Sequence, residues 1–264
     1  MVFGCYDERG RRRMKIKIAT ILPTEYLGLE MRNDYHLCLA HLLGDARYGE
    51  FFKHQARKGN LVMMDNGVVE TGEPMDIHEL ITLADHHGVH EMVLPDKIYS
   101  KQETLMRGGR AMFYFYKKRS EMEHDIDLVA VPQGADAREW AICVKEMLEW
   151  PVKTIGISRF IYRYFPSRAE ALRSVPELVD SDKEIHLLGC PNDPREIYEV
   201  KQAFPGRVRG VDSGIAAMYT QVGKYAGDGD PKPDVELDFS NDALDEELLQ
   251  RNVEWWRNRC LGNV

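Results

Sequence analysis

Short apolar runs recur along this chain about every 30 residues, and a longer segment with helical spacing follows each of them. Several runs are almost continuously apolar, as strands are when both faces of a sheet are covered. This alternation predicts a parallel sheet built from βα units. We expect strands at Ile16–Leu22, Leu61–Asp65, Glu91–Asp96, Leu128–Gln133, Thr154–Ser158, Glu184–Gly189 and Arg207–Asp212, with an eighth and weaker one at Val235–Phe239.

Seven or eight such units in 264 residues fit either a (β/α)8 barrel or a doubly wound sheet. The sequence has no GxGxxG after the first strand and no GxxxxGK[ST], which disfavours the nucleotide-binding doubly wound folds. We therefore predict an α/β protein with a (β/α)8 TIM-type barrel, irregular at the eighth strand. Residues 14–264 are expected to form one barrel domain. Residues 1–13 are either a disordered basic arm that contacts DNA or an extension without function.

Composition excludes several classes of protein. No run approaches the roughly 20 apolar residues needed to span a bilayer, and the N-terminus lacks the apolar core of a secretory signal. The five cysteines are scattered and form no CxxC pair, which argues against a disulfide framework or a cysteine-rich zinc site. We expect a cytoplasmic protein that contacts no membrane.

The net charge of −8 disfavours a protein that coats polyanions with its whole surface, but a local basic groove is compatible with it. Arginines and lysines are interleaved with aromatic residues in two internal stretches, 107–119 and 159–168. That mixture suits stacking on a nucleic-acid strand, although a solvated surface would look the same. The nucleic-acid-binding candidates are Arg159, Arg163, Arg168, Lys117 and Lys118.

Polar side chains stand at the C-terminal ends of successive predicted strands. They are Asp65, Asp96, Gln133 and Asp212. In a barrel these ends meet at one mouth, where active sites are built. An aspartate after a strand can also simply cap the next helix. Three aspartates that each follow an apolar run directly make capping a weaker explanation for the set.

A guanine-like base presents two adjacent N–H donors that one carboxylate can accept together, and its O6 requires a donor. Asp96 fits the first requirement, and Gln133 with the backbone at Gly156 fits the second. Asp65 and Asp212 then remain. Two carboxylates are the number needed to exchange a glycosidic bond, one as nucleophile and one as acid and base.

Six short motifs resemble, in order and spacing, those of the tRNA-guanine transglycosylase superfamily, over residues 60–220. They are MMDNG (Met63–Gly67), VLPD (Val93–Asp96), VPQG (Val131–Gly134), TIGIS (Thr154–Ser158), HLLGCPND (His186–Asp193) and GVDSG (Gly210–Gly214). That family has a (β/α)8 barrel and swaps guanine for a 7-deazaguanine in a polynucleotide, without a cofactor.

The resemblance implies a role for each matched position. Asp212 corresponds to the nucleophile and Asp65 to the acid/base. The base-recognition positions correspond to Asp96, Gln133 and Gly156, with Leu188 and Gly189 on the wall of the base pocket.

The sequence departs from the family's pattern at three places. Asn66 replaces a serine, and Gly156-Ile157-Ser158-Arg159 stands where the family has a glycine-rich stretch. The Cys/His zinc subdomain is missing, since only Cys260 and no histidine lies beyond Asp212, so we expect no metal. These absences resemble the DpdA-type branch of phages and bacterial genomic islands, which places 7-deazaguanines into DNA.

The resemblance therefore implies exchange of DNA guanine for a preQ0-like 7-deazaguanine, with DNA, free guanine and the free 7-deazaguanine base as partners, in the host cytoplasm if the chain is phage-encoded. Enzymes of this kind commonly pair, so a homodimer is compatible with it. The alternatives are a tRNA-guanine transglycosylase, a barrel hydrolase with paired carboxylates, and a non-catalytic 7-deazaguanine- or nucleic-acid-binding subunit.

Three histidines, His86, His87 and His90, invite a metal site. Gly88 interrupts the helix between them and they precede a strand, so we expect a structural or surface role at the bottom of the barrel. His186 lies inside a predicted strand and is expected to be a core histidine with a satisfied hydrogen bond.

Overall fold

Eight parallel strands form one sheet in the computed structural model, which describes residues 16–189 and 193–263. From β2 to β8 each strand pairs with the next strand in the sequence, and β8 also pairs with β1. Among the described residues no ladder joins β1 to β2, so the nearly closed barrel has a seam there. This arrangement confirms the predicted (β/α)8 fold. The strands are β1 Lys17–Thr20, β2 Tyr35–Leu39, β3 Leu61–Asp65, β4 Glu91–Val93, β5 Asp127–Ala130, β6 Thr154–Ser158, β7 Glu184–Leu188 and β8 Val208–Ser213.

Helices surround the sheet. Several begin at an aspartate or serine whose side chain accepts a backbone N–H of the first turn, as Asp76 does from His78. The α-helices are α1 Ala46–Arg57, α2 Val68–Thr71, α3 Ile77–His87, α4 Lys101–Lys118, α5 Ala137–Leu148, α6 Arg168–Arg173, α7 Pro176–Asp180, α8 Arg195–Ala203, α9 Ile215–Gln221 and α10 Glu246–Leu261. Short 3-10 helices occupy Thr24–Glu30, Ala40–Leu42, Arg119–Glu121, Arg159–Arg163 and Ala226–Asp228.

The prediction of the eighth strand was wrong. Val235–Phe239 lies outside the sheet, and the missing strand is β2, near the other end of the chain. The alternation at 235–239 is nonetheless real, because Val235, Leu237 and Phe239 are half-buried while the residues between them are exposed. Alternation of apolar and polar residues shows that one face of a segment is covered. It does not show whether the backbone is hydrogen-bonded to a neighbouring strand.

The hydrophobic core has two layers. Strand residues that point outward pack against the helices. The helices contribute large side chains to this layer, including the fully buried Trp140 and Trp256. Residues that point inward fill the barrel, among them Tyr35, Leu37, Met63 and Val129. Above this inner layer, at the C-terminal ends of the strands, the barrel has an open mouth.

A buried ion pair lies at the other end of the barrel interior. Arg209 on β8 contacts Glu91 on β4, and its guanidinium also donates to Glu184 at 3.0 Å and to the Thr154 hydroxyl at 3.2 Å. A buried charge is tolerated only when it is paired and hydrogen-bonded. These polar groups are thus engaged with one another, away from the mouth.

The basic arm predicted for residues 1–13 lies outside the described residues. Within the part of the chain that is described, none of the helices combines the length and the apolar character that crossing a membrane requires.

Candidate functional site

A cavity of about 590 Å³ opens at the C-terminal ends of the strands. Asp65, Asp96, Gln133 and Asp212 all line it, so the structure brings together the polar residues that the sequence placed at strand ends. Every strand, or the residue just after it, contributes to the wall. Those positions are Ile21, Leu39, Asp65, Val93, Val131, Ser158, Leu188 and Asp212.

Both oxygens of the Asp96 carboxylate accept a side-chain amide. The Asn66 amide donates to Oδ1 at 2.7 Å, and the Gln133 amide donates to Oδ2 at 2.7 Å. All three side chains are buried. Because a carboxylate can accept about four hydrogen bonds, Asp96 retains capacity for two adjacent N–H donors of a ligand. Burial raises the pKa of Asp96, and the two amide donors oppose that rise.

The two amides are themselves held by the backbone. Asn66 also donates to the Leu94 carbonyl at 2.9 Å, and its own oxygen accepts the Val68 N–H at 2.9 Å. The Gln133 oxygen faces the Tyr99 N–H at 3.5 Å, and Tyr99 has a φ of 65°, which is unusual for a residue other than glycine. Asp96 therefore sits in a network whose orientation is set before any ligand binds.

Asp212 accepts two hydrogen bonds of a different kind. The His186 ring nitrogen Nε2 lies 2.9 Å from Oδ1, and the Gly189 N–H donates to Oδ2 at 3.1 Å. Gly189 has a φ of 70°, a left-handed conformation that turns the chain at the end of β7. Donors on both oxygens stabilise the ionised form of a carboxylate.

Asp65 is in a different electrostatic environment. Burial raises its pKa well above the ordinary value, and the nearby carboxylates of Glu70, Asp212 and Asp96 raise it further. Partial desolvation also raises the pKa of Glu70, which lines the same cavity from α2. A carboxyl that binds its proton more tightly than usual and a carboxylate that accepts two donors thus share one cavity. This is the pairing that general acid catalysis and nucleophilic attack require.

The predicted wall of the pocket is found in part. Leu188 and Gly189 line the cavity, but Gly156 does not. A Cβ at Gly156 would lie 2.8 Å from the Leu188 side chain and 3.1 Å from that of Val131. These two side chains cover the Cα of Gly156, and the contact predicted between its backbone and a base stays a prediction. Ser158, two residues further along β6, reaches the cavity instead.

Two of the predicted basic residues lie at the mouth. Arg159 lines the cavity, and its guanidinium lies 5.3 Å from the centre of the Phe160 ring. Arg163 is exposed and lies over the Tyr99 ring at 4.7 Å. Guanidinium groups stacked on aromatic rings are a surface on which nucleobases also stack.

The prediction that Arg168 contacts nucleic acid was wrong. It is fully buried, and its guanidinium donates to the carbonyl oxygens of Leu188 at 3.2 Å and Gly189 at 2.6 Å. A side chain in this position holds the end of β7 and is shielded from a nucleic-acid strand.

The prediction that Lys117 and Lys118 bind the nucleic acid at the mouth was also wrong. They end α4, which starts near the mouth and runs to the opposite face of the barrel. Lys118 lines a separate cavity of about 690 Å³ on that face and pairs with Glu121 at 2.7 Å. The two lysines therefore cannot act on a ligand together with Arg159 and Arg163.

The histidines at 86, 87 and 90 line this second cavity, at the N-terminal face as expected. Among residues 16–189 and 193–263, no group of three or more His, Cys, Asp or Glu side chains has the arrangement to hold a metal ion. The Lys53 ammonium lies 3.2 Å from Nε2 of His86, and the His87 ring contacts the Leu83 carbonyl at 2.9 Å.

The segment 232–239 forms a rim over the mouth, which the sequence interpretation missed. Lys232, Val235, Glu236, Leu237 and Phe239 line the cavity. The Gln221 side chain donates to the Glu236 carbonyl at 2.9 Å and accepts the Asp238 N–H at 3.0 Å. The only available signal was the alternation that had suggested a strand.

The sequence interpretation also left His186 and Glu70 out of the site. His186 alternates with Ile185 and Leu187 on β7, which puts it on the inner face, but its partner Asp212 is 26 residues away. Glu70 follows the Asp65–Gly67 turn, and nothing local indicates that it faces the cavity.

No protein-family model matches this chain, and no curated protein sequence matches it. Solved structures do match over nearly the whole chain. A phosphoribosyl anthranilate isomerase, in complex with a reduced deoxyribulose 5-phosphate compound, has a TM-score of 0.50 at 10% identity, covering 94% of this chain and 100% of that one. A protein from Aquifex aeolicus VF5 has a TM-score of 0.52 at 9% identity, covering 94% of each chain.

The carboxyl transferase domain of Rhizobium etli pyruvate carboxylase, with oxamate and biotin, has a TM-score of 0.53 at 13% identity, covering 95% of this chain and 48% of that chain. Identities this low show a shared fold and carry nothing about substrate. By its topology and by these neighbours, the chain is a (β/α)8 barrel.

Proposed function

We propose that this protein is a base-exchange glycosyltransferase that replaces guanine in DNA with a 7-deazaguanine derivative through a covalent glycosyl-aspartate. One observation carries the proposal. A carboxylate oriented by two amides, Asp96, shares a cavity with a doubly hydrogen-bonded carboxylate, Asp212, and with a carboxyl of raised pKa, Asp65. Two of the solved neighbours, an isomerase and a carboxyl transferase, are enzymes, which is consistent with a catalytic barrel mouth.

Base recognition assigns a role to the network around Asp96. The Asp96 carboxylate accepts N1–H and the exocyclic N–H of guanine, which are adjacent donors. Asn66 and Gln133 limit its rotation, so little orientational entropy is lost on binding. A hydrolase that recognised only a sugar would have no use for this network.

The first half-reaction forms the glycosyl-enzyme. An Asp212 oxygen attacks C1′, the bond from C1′ to N9 of guanine breaks, and the proton of Asp65 moves to the departing base. The raised pKa of Asp65 keeps that proton in place until it is needed.

The second half-reaction reverses these roles. N9 of the incoming 7-deazaguanine loses its proton to the Asp65 carboxylate and attacks C1′, and the bond to Asp212 breaks. Two displacements on the same carbon retain the configuration of the sugar. The replacement of N7 by carbon makes the product resist reversal.

A guanine must leave the base stack to reach the cavity, at a cost of a few kcal/mol in a duplex. The acidic side chains that line the cavity disfavour entry of phosphate groups, so the base and C1′ of its sugar enter while the phosphates stay outside. Arg159 and Arg163, with the aromatic rings of Phe160 and Tyr99, form the surface that supports the strand at the mouth.

The test is uptake of radiolabelled guanine. The full-length protein is incubated separately with a DNA duplex, single-stranded DNA and tRNA, and label retained in each polymer is counted. Label in DNA supports the proposal, whereas label in tRNA alone indicates the tRNA enzyme. If no polymer takes up label while calorimetry shows guanine binding, the chain is a binding subunit. Release of free guanine without exchange identifies a hydrolase.

A further inference from the structure

The interior of the barrel directly beneath Asp212 holds two polar side chains that the proposed reaction does not yet use. Resting on the proposed function, we infer that His186 and Tyr35 are positioning residues for the nucleophile. They hold the Asp212 carboxylate from below so that it faces the mouth. Both side chains are fully buried, so neither reaches the substrate.

His186 is the link to Asp212. Its Nε2 lies 2.9 Å from the carboxylate, and the Gly189 N–H occupies the other oxygen at 3.1 Å. The two contacts approach different oxygens, so they fix the plane of the carboxylate as well as its position. A reacting oxygen held in this way is already close to its geometry for attack.

Tyr35 is the second partner of the imidazole. Its hydroxyl lies 3.4 Å from Nδ1 and 3.3 Å from Nε2 of His186, and the two rings pack edge to face with centroids 5.6 Å apart. The same hydroxyl lies 3.8 Å from the Met63 sulfur. Tyr35 therefore packs against the imidazole near both of its nitrogens and restricts the orientation of the ring.

The chemistry of the two partners assigns the tautomer. A carboxylate can only accept, so the His186 hydrogen is on Nε2, and Nδ1 is then an acceptor for the Tyr35 hydroxyl. Burial lowers the pKa of His186 more than the Asp212 carboxylate raises it, which favours the neutral ring. A neutral donor positions Asp212 without the full countercharge of an imidazolium, which would weaken its attack on C1′.

The backbone leaves space for this arrangement at Gly210. A Cβ there would lie 3.1 Å from Nδ1 of His186 and 2.9 Å from the Lys17 carbonyl. Any side chain at Gly210 would have to displace the imidazole or the β1 backbone. Gly210, two residues before Asp212, therefore provides the space in which the His186 ring lies.

The test compares the full-length protein with His186→Ala, His186→Gln and Tyr35→Phe in guanine exchange into DNA. Loss of a residue that orients a reacting group typically costs about 10- to 100-fold. We expect His186→Ala to lower kcat by about 100-fold with KM for guanine changed less than about 3-fold. His186→Gln, whose amide can donate from nearly the same place, should restore activity to within about 10-fold of the wild type. Tyr35→Phe should lower kcat by about 10-fold.

Two further measurements separate positioning from general structural damage. Calorimetric binding of guanine, which depends on Asp96, should be unchanged in all three variants. The covalent protein–DNA adduct, followed on a denaturing gel in a single turnover, should form more slowly in proportion to kcat. The exposed His54→Ala serves as the matched control and should behave as wild type.

The outcomes are distinct. If the wild type exchanges guanine and His186→Ala retains its kcat, or loses only affinity, the positioning role is wrong and the proposed function stands. If His186→Gln is as impaired as His186→Ala although Tyr35→Phe is unimpaired, the role is also wrong. If the wild type exchanges no guanine and forms no adduct, the proposed function fails and this inference fails with it.

Discussion

Asn66 donates a hydrogen bond to Asp96 at 2.7 Å across the gap between the ends of β3 and β4, and it uses its remaining polar capacity on the backbone around it. The residue that departs from the transglycosylase pattern is therefore joined to the residue expected to recognise the base. Substitution at Asn66 should affect both the stability of the turn and the affinity of the cavity.

We expect Asn66→Ala to lower the free energy of unfolding by about 1–3 kcal/mol, because it leaves buried partners without a hydrogen bond. Guanine affinity should fall by about 10-fold, since Asp96 becomes free to rotate. Urea unfolding and calorimetry measure the two effects, with the exposed Gln250→Ala as the control. Unchanged guanine affinity in a destabilised variant would confine Asn66 to a structural role.

Because the pKa of Asp65 is raised, substitution of this residue should increase stability and decrease activity. A carboxyl whose pKa is raised in the folded protein binds its proton more tightly there than in the unfolded chain, so stability falls as pH rises through the folded pKa. Asp65→Asn, which cannot ionise, should therefore raise the melting temperature at neutral pH. It should also flatten the decline of melting temperature between acidic and neutral pH.

Exchange activity of Asp65→Asn should fall by about 100- to 10,000-fold, because general acid catalysis is lost. Wild-type activity should decline at high pH as Asp65 loses its proton. A variant that is both stabilised and fully active would show that Asp65 is not the proton donor. Glu70→Gln, which removes the neighbouring carboxylate, should shift the alkaline limb of the wild-type profile to lower pH, since Glu70 raises the pKa of Asp65.

Asp212→Asn should abolish guanine exchange while the fold is retained. The amide is nearly isosteric, and its oxygen can still accept the Gly189 N–H or the His186 hydrogen. The covalent adduct should be absent from denaturing gels, and circular dichroism should match that of the wild type. Full exchange by this variant would remove Asp212 from the nucleophile position.

The arginines at the mouth, Arg159 and Arg163, and the lysines on the opposite face, Lys117 and Lys118, should affect DNA binding differently. Arg159→Ala and Arg163→Ala should each weaken binding and reduce the slope of log affinity against log salt by about 1 if the guanidinium contacts a phosphate. Lys117→Ala and Lys118→Ala, on the opposite face of the barrel, should leave both quantities unchanged. Fluorescence anisotropy of a labelled duplex across a salt series measures them. Equal losses from both pairs would place the DNA elsewhere than the mouth.

The amino-acid sequence alone was sufficient for seven of the eight strands of the βα pattern and for the polar residues at strand ends. Both are local properties, since apolar runs mark buried strands and an aspartate directly after a run lies at the end of its strand. Because parallel strands end on one side, Asp65, Asp96, Gln133 and Asp212 could be assigned to one mouth without coordinates.

Only the tertiary structure decided which side chains meet. Val235–Phe239 has the alternation of a strand but lies over the mouth, and Arg168 has the composition of a surface arginine but is buried beneath Gly189. The contact between His186 and Asp212 joins residues 26 positions apart. Burial and hydrogen-bond partners depend on the packing of distant segments, and no periodicity within one segment can report them.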